Sequence, residues 1–255
     1  MRRVLFILTL SITLLIPSQV NALSRAFNDR EVISYQLYFN WKFIWVKAGT
    51  ATMTTQPSTY GGKNVFRTSL ITQTSRRIDR FFVMRDTITS FCDLDLSPLY
   101  YRKGAREGKR YYVDEAWYNN GGNKSVVTMR HLAADGEVTN EKQTYDRNVS
   151  DMINSFMRIR SMDVSNWKKG HAETVYIAGG SKLTTARLVL KGKKTIKGDD
   201  NKKYSCLEIS YNEKEEGKWK EIVKFFVTDD RRHIPIRLDL NLRFGTAKAF
   251  VTSIK

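Results

Sequence analysis

Cysteine, histidine and proline are all scarce in this chain, at two, three and four residues among 255. Two cysteines exclude a disulfide-knit scaffold and a cysteine-rich zinc module. His131, His171 and His233 stand too far apart in sequence to share a metal-ligand spacing. So few prolines, with only 15 glycines, exclude a collagen-like or proline-rich fibre. Signature loops are missing as well. There is no Gly-rich loop ending in Gly-Lys-Ser/Thr, no Gly-x-Gly-x-x-Gly, no Gly-x-Ser-x-Gly, no His-Glu-x-x-His and no Cys-x-x-Cys. Acidic residues are outnumbered, 26 against 43 Lys+Arg, for a formal net charge of +17. What is present, 41% hydrophobic and 27% charged residues, is globular composition.

The N-terminus carries the sharpest local pattern. Met1-Arg2-Arg3 is positive, Val4 to Ile16 is apolar but for Thr and Ser, and Pro17-Ser18 ends the run. Val20-Asn21-Ala22 then offers small residues to a signal peptidase. The apolar run is shorter than the roughly 20 residues a membrane-spanning helix needs. The pattern predicts a signal peptide over 1–22 cleaved after Ala22, export to the periplasm, and one β-rich domain over 23–255. No other stretch is apolar enough to span a membrane. In an oxidising compartment a Cys92–Cys206 disulfide would close a long loop, worth about 4–5 kcal/mol in the loop-entropy view. The alternative is two separate buried thiols acting as small apolar residues.

Along the chain the dominant period is two. Ile33, Tyr35, Leu37 and Phe39 alternate with polar or amphipathic neighbours, as do Ile236, Leu238 and Leu240. Similar runs lie near 41–54, 63–73, 86–92, 98–106, 110–118, 123–131, 171–178, 203–211, 218–228 and 244–254. Between them stand Gly61-Gly62, Gly121-Gly122, Asp135-Gly136, Asp199-Asp200-Asn201 and Glu216-Gly217, whose residues tolerate positive φ and read as hairpin turns. The expected class is all-β and mainly antiparallel, a large curved sheet or open β-barrel. One segment departs: Val149, Met152, Ile153, Phe156 and Met157 mark one face of a helix around 149–160. Ser150 or Asn148 can cap it, and its apolar face is expected to pack on the sheet as core.

Chemistry-bearing residues are few. Asp93 and Asp95, two apart in a strand-like run, could place two carboxyls on one face, as a hydrolase needs. A solvated strand end before Pro98 is the plainer reading. No nucleophile–base constellation accompanies them, so no enzyme is predicted, and no cofactor or metal. Asp230, Arg232 and Pro235 read as a structural corner between two strands, with Pro235 opening the second. Two basic clusters stand out: Arg102, Lys103, Arg106, Lys109 and Arg110 beside four tyrosines, and Lys191 to Lys203 around a hairpin. Export points this charge away from nucleic acid and toward lipid, lipopolysaccharide or acidic glycan, the alternative being a solvated basic surface with no specific partner.

Several blocks resemble a known family. Tyr35-x-Leu37-x-Phe39 followed by Val46-x-Ala48-Gly49-Thr50-Ala51 is similar to the opening of the domain-of-unknown-function family 3108 of exported bacterial proteins. Arg80-Phe81-Phe82, Asp86, Phe91-Cys92-Asp93 and Leu96-Ser97-Pro98 resemble its next block. Asp151 with Arg158 and then Gly170 resemble its helix and the glycine that follows. Thr228 to Arg237, closed by Phe244-Gly245-Thr246, is similar to its final block. The resemblance implies an exported, mainly β fold like a large open barrel, and no known activity. Two readings of function follow. In one, a curved sheet holds an apolar or amphipathic ligand such as lipid, and Trp41, Phe43 and Trp45, spaced at two in one strand, could line the cavity, although core packing is their plainer reading. In the other, a non-enzymatic envelope assembly or interaction factor works through its basic surface. An open apolar interior favours the first, a packed one the second.

Overall fold

Among the described residues, the alternation read from the sequence is realised as one antiparallel sheet of 14 strands, left unclosed, with two helices. This computed structural model describes residues 26–27, 30–41, 44–179, 183–242 and 245–255, and the side chain of Trp41 is not among them. The predicted signal peptide lies outside the described residues. The first hairpins are built from β1 (Glu31–Trp41), β2 (Ile44–Tyr60), β3 (Lys63–Thr74), β4 (Met84–Cys92) and β5 (Pro98–Glu107), with the single turn α1 (Arg76–Asp79) between β3 and β4. β6 (Arg110–Gly121), β7 (Lys124–Leu132) and β8 (Val138–Tyr145) complete this half, and α2 (Met152–Arg160) follows. The second half runs through β9 (Ala172–Ala178), β10 (Leu183–Lys197), β11 (Lys203–Glu215), β12 (Lys218–Thr228), β13 (Pro235–Leu242) and β14 (Gly245–Ile254). Glycine takes positive φ in the turns, as at Gly61, Gly62 and Gly136, where an L side chain would be strained.

The strand order is β8-β7-β6-β5-β4-β3-β2-β1-β14-β13-β12-β11-β10-β9. Each half is a meander, and the halves join where β1 pairs with β14. The two outermost strands, β8 and β9, do not pair with each other. The chain leading into α2 spans part of that gap. Ser150 exchanges backbone hydrogen bonds with β9, to Tyr176 O and from Ala178 N, both at 3.0 Å. Val149 N donates to Ser125 Oγ at 3.1 Å, and Asn120 Nδ2 donates to Val149 O at 3.2 Å, which ties the same segment to β7 and β6.

The predicted helix forms, with two differences. Its cap is Asp151 rather than Ser150 or Asn148: Asn154 N donates to Asp151 Oδ1 at 2.7 Å and Ser90 Oγ donates to Oδ2 at 2.8 Å. Burial of this carboxyl, which outweighs those hydrogen bonds, pushes its pKa up to about 6. Met152 points to solvent, while Arg160, at the same end as the exposed Arg158, is buried. Ile153 and Met157 pack into a cluster with Phe66, Ile88 and Met129. Phe156 reaches both this cluster and a second around Ile33, Phe226 and Ile236, and its ring stacks on Phe225 at 5.7 Å. Ile159 leans on a third around Leu188 and Ile209. One helix thus joins three apolar clusters, and the sheet's concave side is packed around it.

Three expectations need correction here. Cys92 and Cys206 form no bridge: Cys92 sits in the first apolar cluster and Cys206 in the second, and both are free, buried thiols. Burial raises them to about 12 and about 11 respectively, so neither is a nucleophile near neutral pH. Trp41 ends β1 while Trp45 lies in β2, so the aromatic triplet spans a hairpin instead of one strand. Finally, β8 has no alternating apolar run in the sequence. Its residues VTNEKQTY are almost all exposed, so it lacks the one-sided apolar face that reveals a strand.

Candidate functional site

Antiparallel alternation puts the β1–β2, β3–β4, β5–β6 and β13–β14 connections on one rim of the sheet. The floor of that rim is set by Gly49. A Cβ there would stand 2.0 Å from Gln73 O, so only glycine lets β2 and β3 approach this closely. Next to it the turn 75–83 is locked from within. Thr74 Oγ1 donates to Asp79 Oδ1 at 2.6 Å and accepts from Met84 N at 2.9 Å. Arg85 clamps Asp79 with both guanidinium nitrogens, at 3.1 and 2.5 Å, and this pairing holds the Asp79 carboxyl below the usual range. Gly108 N donates to Val83 O at 2.7 Å, joining the β5–β6 turn to the same segment.

With its polar groups satisfied internally, the turn turns its other side chains outward. Arg76, Arg77 and Arg80 are exposed, and none pairs with a carboxylate among the described residues. Phe81 is 85% exposed and Phe82 49%. Across a groove of about 880 Å³ stand Ile44, 67% exposed, and Trp45. Among the described residues, every exposed large apolar side chain except Leu94 and Met152 lies on or within a few residues of this rim. Apolar exposure scattered singly needs no explanation, but aromatics gathered beside unpaired arginines do.

The sequence candidates fall in three places. Trp45 faces outward because a bulge after Leu37, opposite Lys47 and Gly49, shifts the β1–β2 register by one residue and reverses the faces beyond it. Lys248 Nζ lies over its ring at 4.2 Å, so Trp45 lines no interior cavity. Phe43 lies outside the described residues. Asp93 and Asp95 share no strand face, since β4 ends at Cys92. Asp93 Oδ1 instead accepts from Asp95 N at 3.0 Å and Ser97 N at 2.8 Å, closing a turn. The first basic cluster is split by strand alternation. Lys103 faces the concave side, bonded to Tyr112 Oη at 2.7 Å and Glu107 at 3.3 Å, whereas Arg102 and Arg106 stand on the other face.

The closing corner is sealed rather than open. Pro235 starts β13, buried, and Asp230 Oδ1 accepts from Thr228 Oγ1 at 2.8 Å and Arg232 N at 2.9 Å. Arg232 does not pair with Asp230: its Nη2 reaches Glu31 at 2.9 Å. The same Glu31 carboxylate receives Arg160 at 2.7 and 3.2 Å, with both side chains essentially inaccessible. Arg160 also donates to Arg232 O, and His233 Nδ1 lies 2.7 Å from Arg160 O. Glu31 and Arg160 carry no sequence signal of this pairing. Nothing local marks them, because the partners lie at opposite ends of β1 and α2.

The family model for the protein of unknown function DUF3108 matches residues 34–252. The chain belongs to this family. No curated protein matches this DUF3108 chain. Among solved structures it is similar to the β-barrel-like protein of domain of unknown function DUF1849 from Brucella abortus. The likeness has a TM-score of 0.57 and 12% identity, over 89% of this chain and 97% of that one. At such identity the likeness speaks to the fold alone: a β-barrel-like sheet. Among the described residues no group of three His, Cys, Asp or Glu could hold a metal, and no helix is long and apolar enough to cross a membrane.

Proposed function

We propose that this protein is a non-catalytic, exported envelope protein that docks on an anionic lipid surface through the rim carrying Arg76, Arg77, Arg80, Phe81 and Phe82. The observation that carries the reading is the gathering of exposed apolar side chains on one rim, beside arginines that have no carboxylate partner among the described residues. Aromatic rings seat at the headgroup level, and each nearby Lys or Arg adds about 1 kcal/mol of attraction to an anionic leaflet. The packed concave side favours this surface reading over carriage of a lipid inside the sheet.

Co-sedimentation with vesicles tests it. The protein binds vesicles containing phosphatidylglycerol, and binding falls as salt rises. Phe81→Ser with Phe82→Ser weakens it about tenfold or more, from the lost apolar burial. Equal binding to pure phosphatidylcholine, or no binding to either vesicle, sinks the reading.

A further inference from the structure

A second cleft, of about 380 Å³, opens where the chain entering α2 crosses between β6–β7 and β9. It is remote in the fold from the rim connections and independent of the lipid reading. Arg158 is its one charged lining residue among the described residues, and no carboxylate faces it. Among the described residues Arg158 Nη1 has only Leu96 O, at a long 3.4 Å. Arg147 adds a further positive charge, its guanidinium stacked 4.6 Å from the ring of Tyr176, another lining residue. Two buried polar atoms on lining residues have no hydrogen-bond partner among the described residues: Ser155 Oγ, on a residue 4% exposed, and Asn120 Oδ1.

Buried polar atoms are normally satisfied, so orphans on the walls of one cleft ask for a ligand that supplies their partners. Arg158 asks for an anion. Asn120 Oδ1 accepts only, and so asks for a donor, while Ser155 Oγ can do either. A simple inorganic anion meets the first demand and not the second. We infer that this cleft binds a small hydroxyl-bearing anion of the sugar-acid class, its carboxylate on Arg158 and its hydroxyls on Asn120 and Ser155. The volume fits, at the lower end of the roughly 300–1,000 Å³ of small-molecule sites. A free sugar acid and the acidic terminal residue of a glycan present the same chemistry.

Isothermal titration calorimetry of the whole protein tests this with glucuronate, a glucuronate-terminated oligosaccharide, glucose and acetate. The expected result is that glucuronate binds and that glucose and acetate bind at least about tenfold more weakly, each lacking half of the recognised groups. Tighter binding of the oligosaccharide identifies a glycan end as the source; equal or weaker binding identifies the free acid. Arg158→Gln, an exposed change that leaves the core alone, weakens glucuronate about tenfold or more. Ser155→Ala weakens it severalfold without lowering the unfolding midpoint, because the hydroxyl it removes bonds nothing among the described residues. The inference is overturned if glucuronate fails to bind at about 10 mM, if acetate binds as tightly, or if Arg158→Gln binds like the parent.

Discussion

Two arginine–carboxylate pairs with the same fork-to-fork chemistry sit in opposite settings. Arg160 and Glu31 are 0% and 1% exposed, deep at the corner where β1, α2 and the turn before β13 meet. Arg85 and Asp79 are 39% and 22% exposed, on the rim. In the first pair every charge must be answered inside the protein. Arg232 and the carbonyls of Ala26 and Arg232 complete that answer. In the second, water shares the work, and the pair serves to shape a turn. Geometry alone would rank them as equals, and burial separates them.

The largest effect is expected from breaking the buried pair. Arg160→Met leaves Glu31 with only Arg232 and should cost about 3–5 kcal/mol in urea unfolding. Adding Glu31→Leu to Arg160→Met should recover a large share, since the cost lies in the orphaned charge; a double variant no better than the single one contradicts that account.

Asp151 offers a pH version of the same contrast, a buried carboxyl with hydrogen bonds and, among the described residues, no paired cation. Its folded pKa of about 6 lies above the ordinary 3.8, so the native state holds the proton more tightly than the unfolded one. Stability from this group is therefore fully present below pH 4 and lost as pH rises to about 6, with a constant penalty above. Asp151→Asn should gain on the parent across that window, by about 2–3 kcal/mol at most. A pH-independent difference between the two would show that the carboxyl is not buried as described.

Asp230→Ala removes two acceptor bonds at an exposed turn and should cost about 1 kcal/mol by thermal or urea unfolding. Smallest in stability is Asp79→Asn at the rim, which should barely move the unfolding midpoint. Yet by loosening the turn that carries Phe81 it should weaken binding to phosphatidylglycerol vesicles severalfold. Unchanged vesicle binding would mean that this pair does not organise the rim.

What the sequence reveals and what it hides divides along the same line. Period-two runs and glycine turns are local, so most strands and hairpins can be read directly, as at Tyr60-Gly61-Gly62 between β2 and β3. The helix is legible from Ile153 and Met157. Trp45 is not, because a single bulged residue reverses its facing and leaves no mark in the composition. Arg160 reads as an ordinary basic residue at a helix end until β1 delivers Glu31 to it. The cleft at Arg158 depends on which polar atoms go unpaired, a property of the assembled fold. The rim motif Arg80-Phe81-Phe82 was visible as part of a family resemblance, but its exposure was not.

The pairing of β1 with β14 has a kinetic consequence. Each meander can form from neighbours close in sequence, so hairpins should zip quickly within each half. The junction between the halves joins strands from opposite ends of the chain, and its loop-closure cost falls due only when the final strand is available. Until then β1 offers an unpaired edge beside apolar residues such as Ile33 and Tyr35, a template for association with other chains. The step expected to be slow and concentration-sensitive in assembling this molecule is the closing of its own middle.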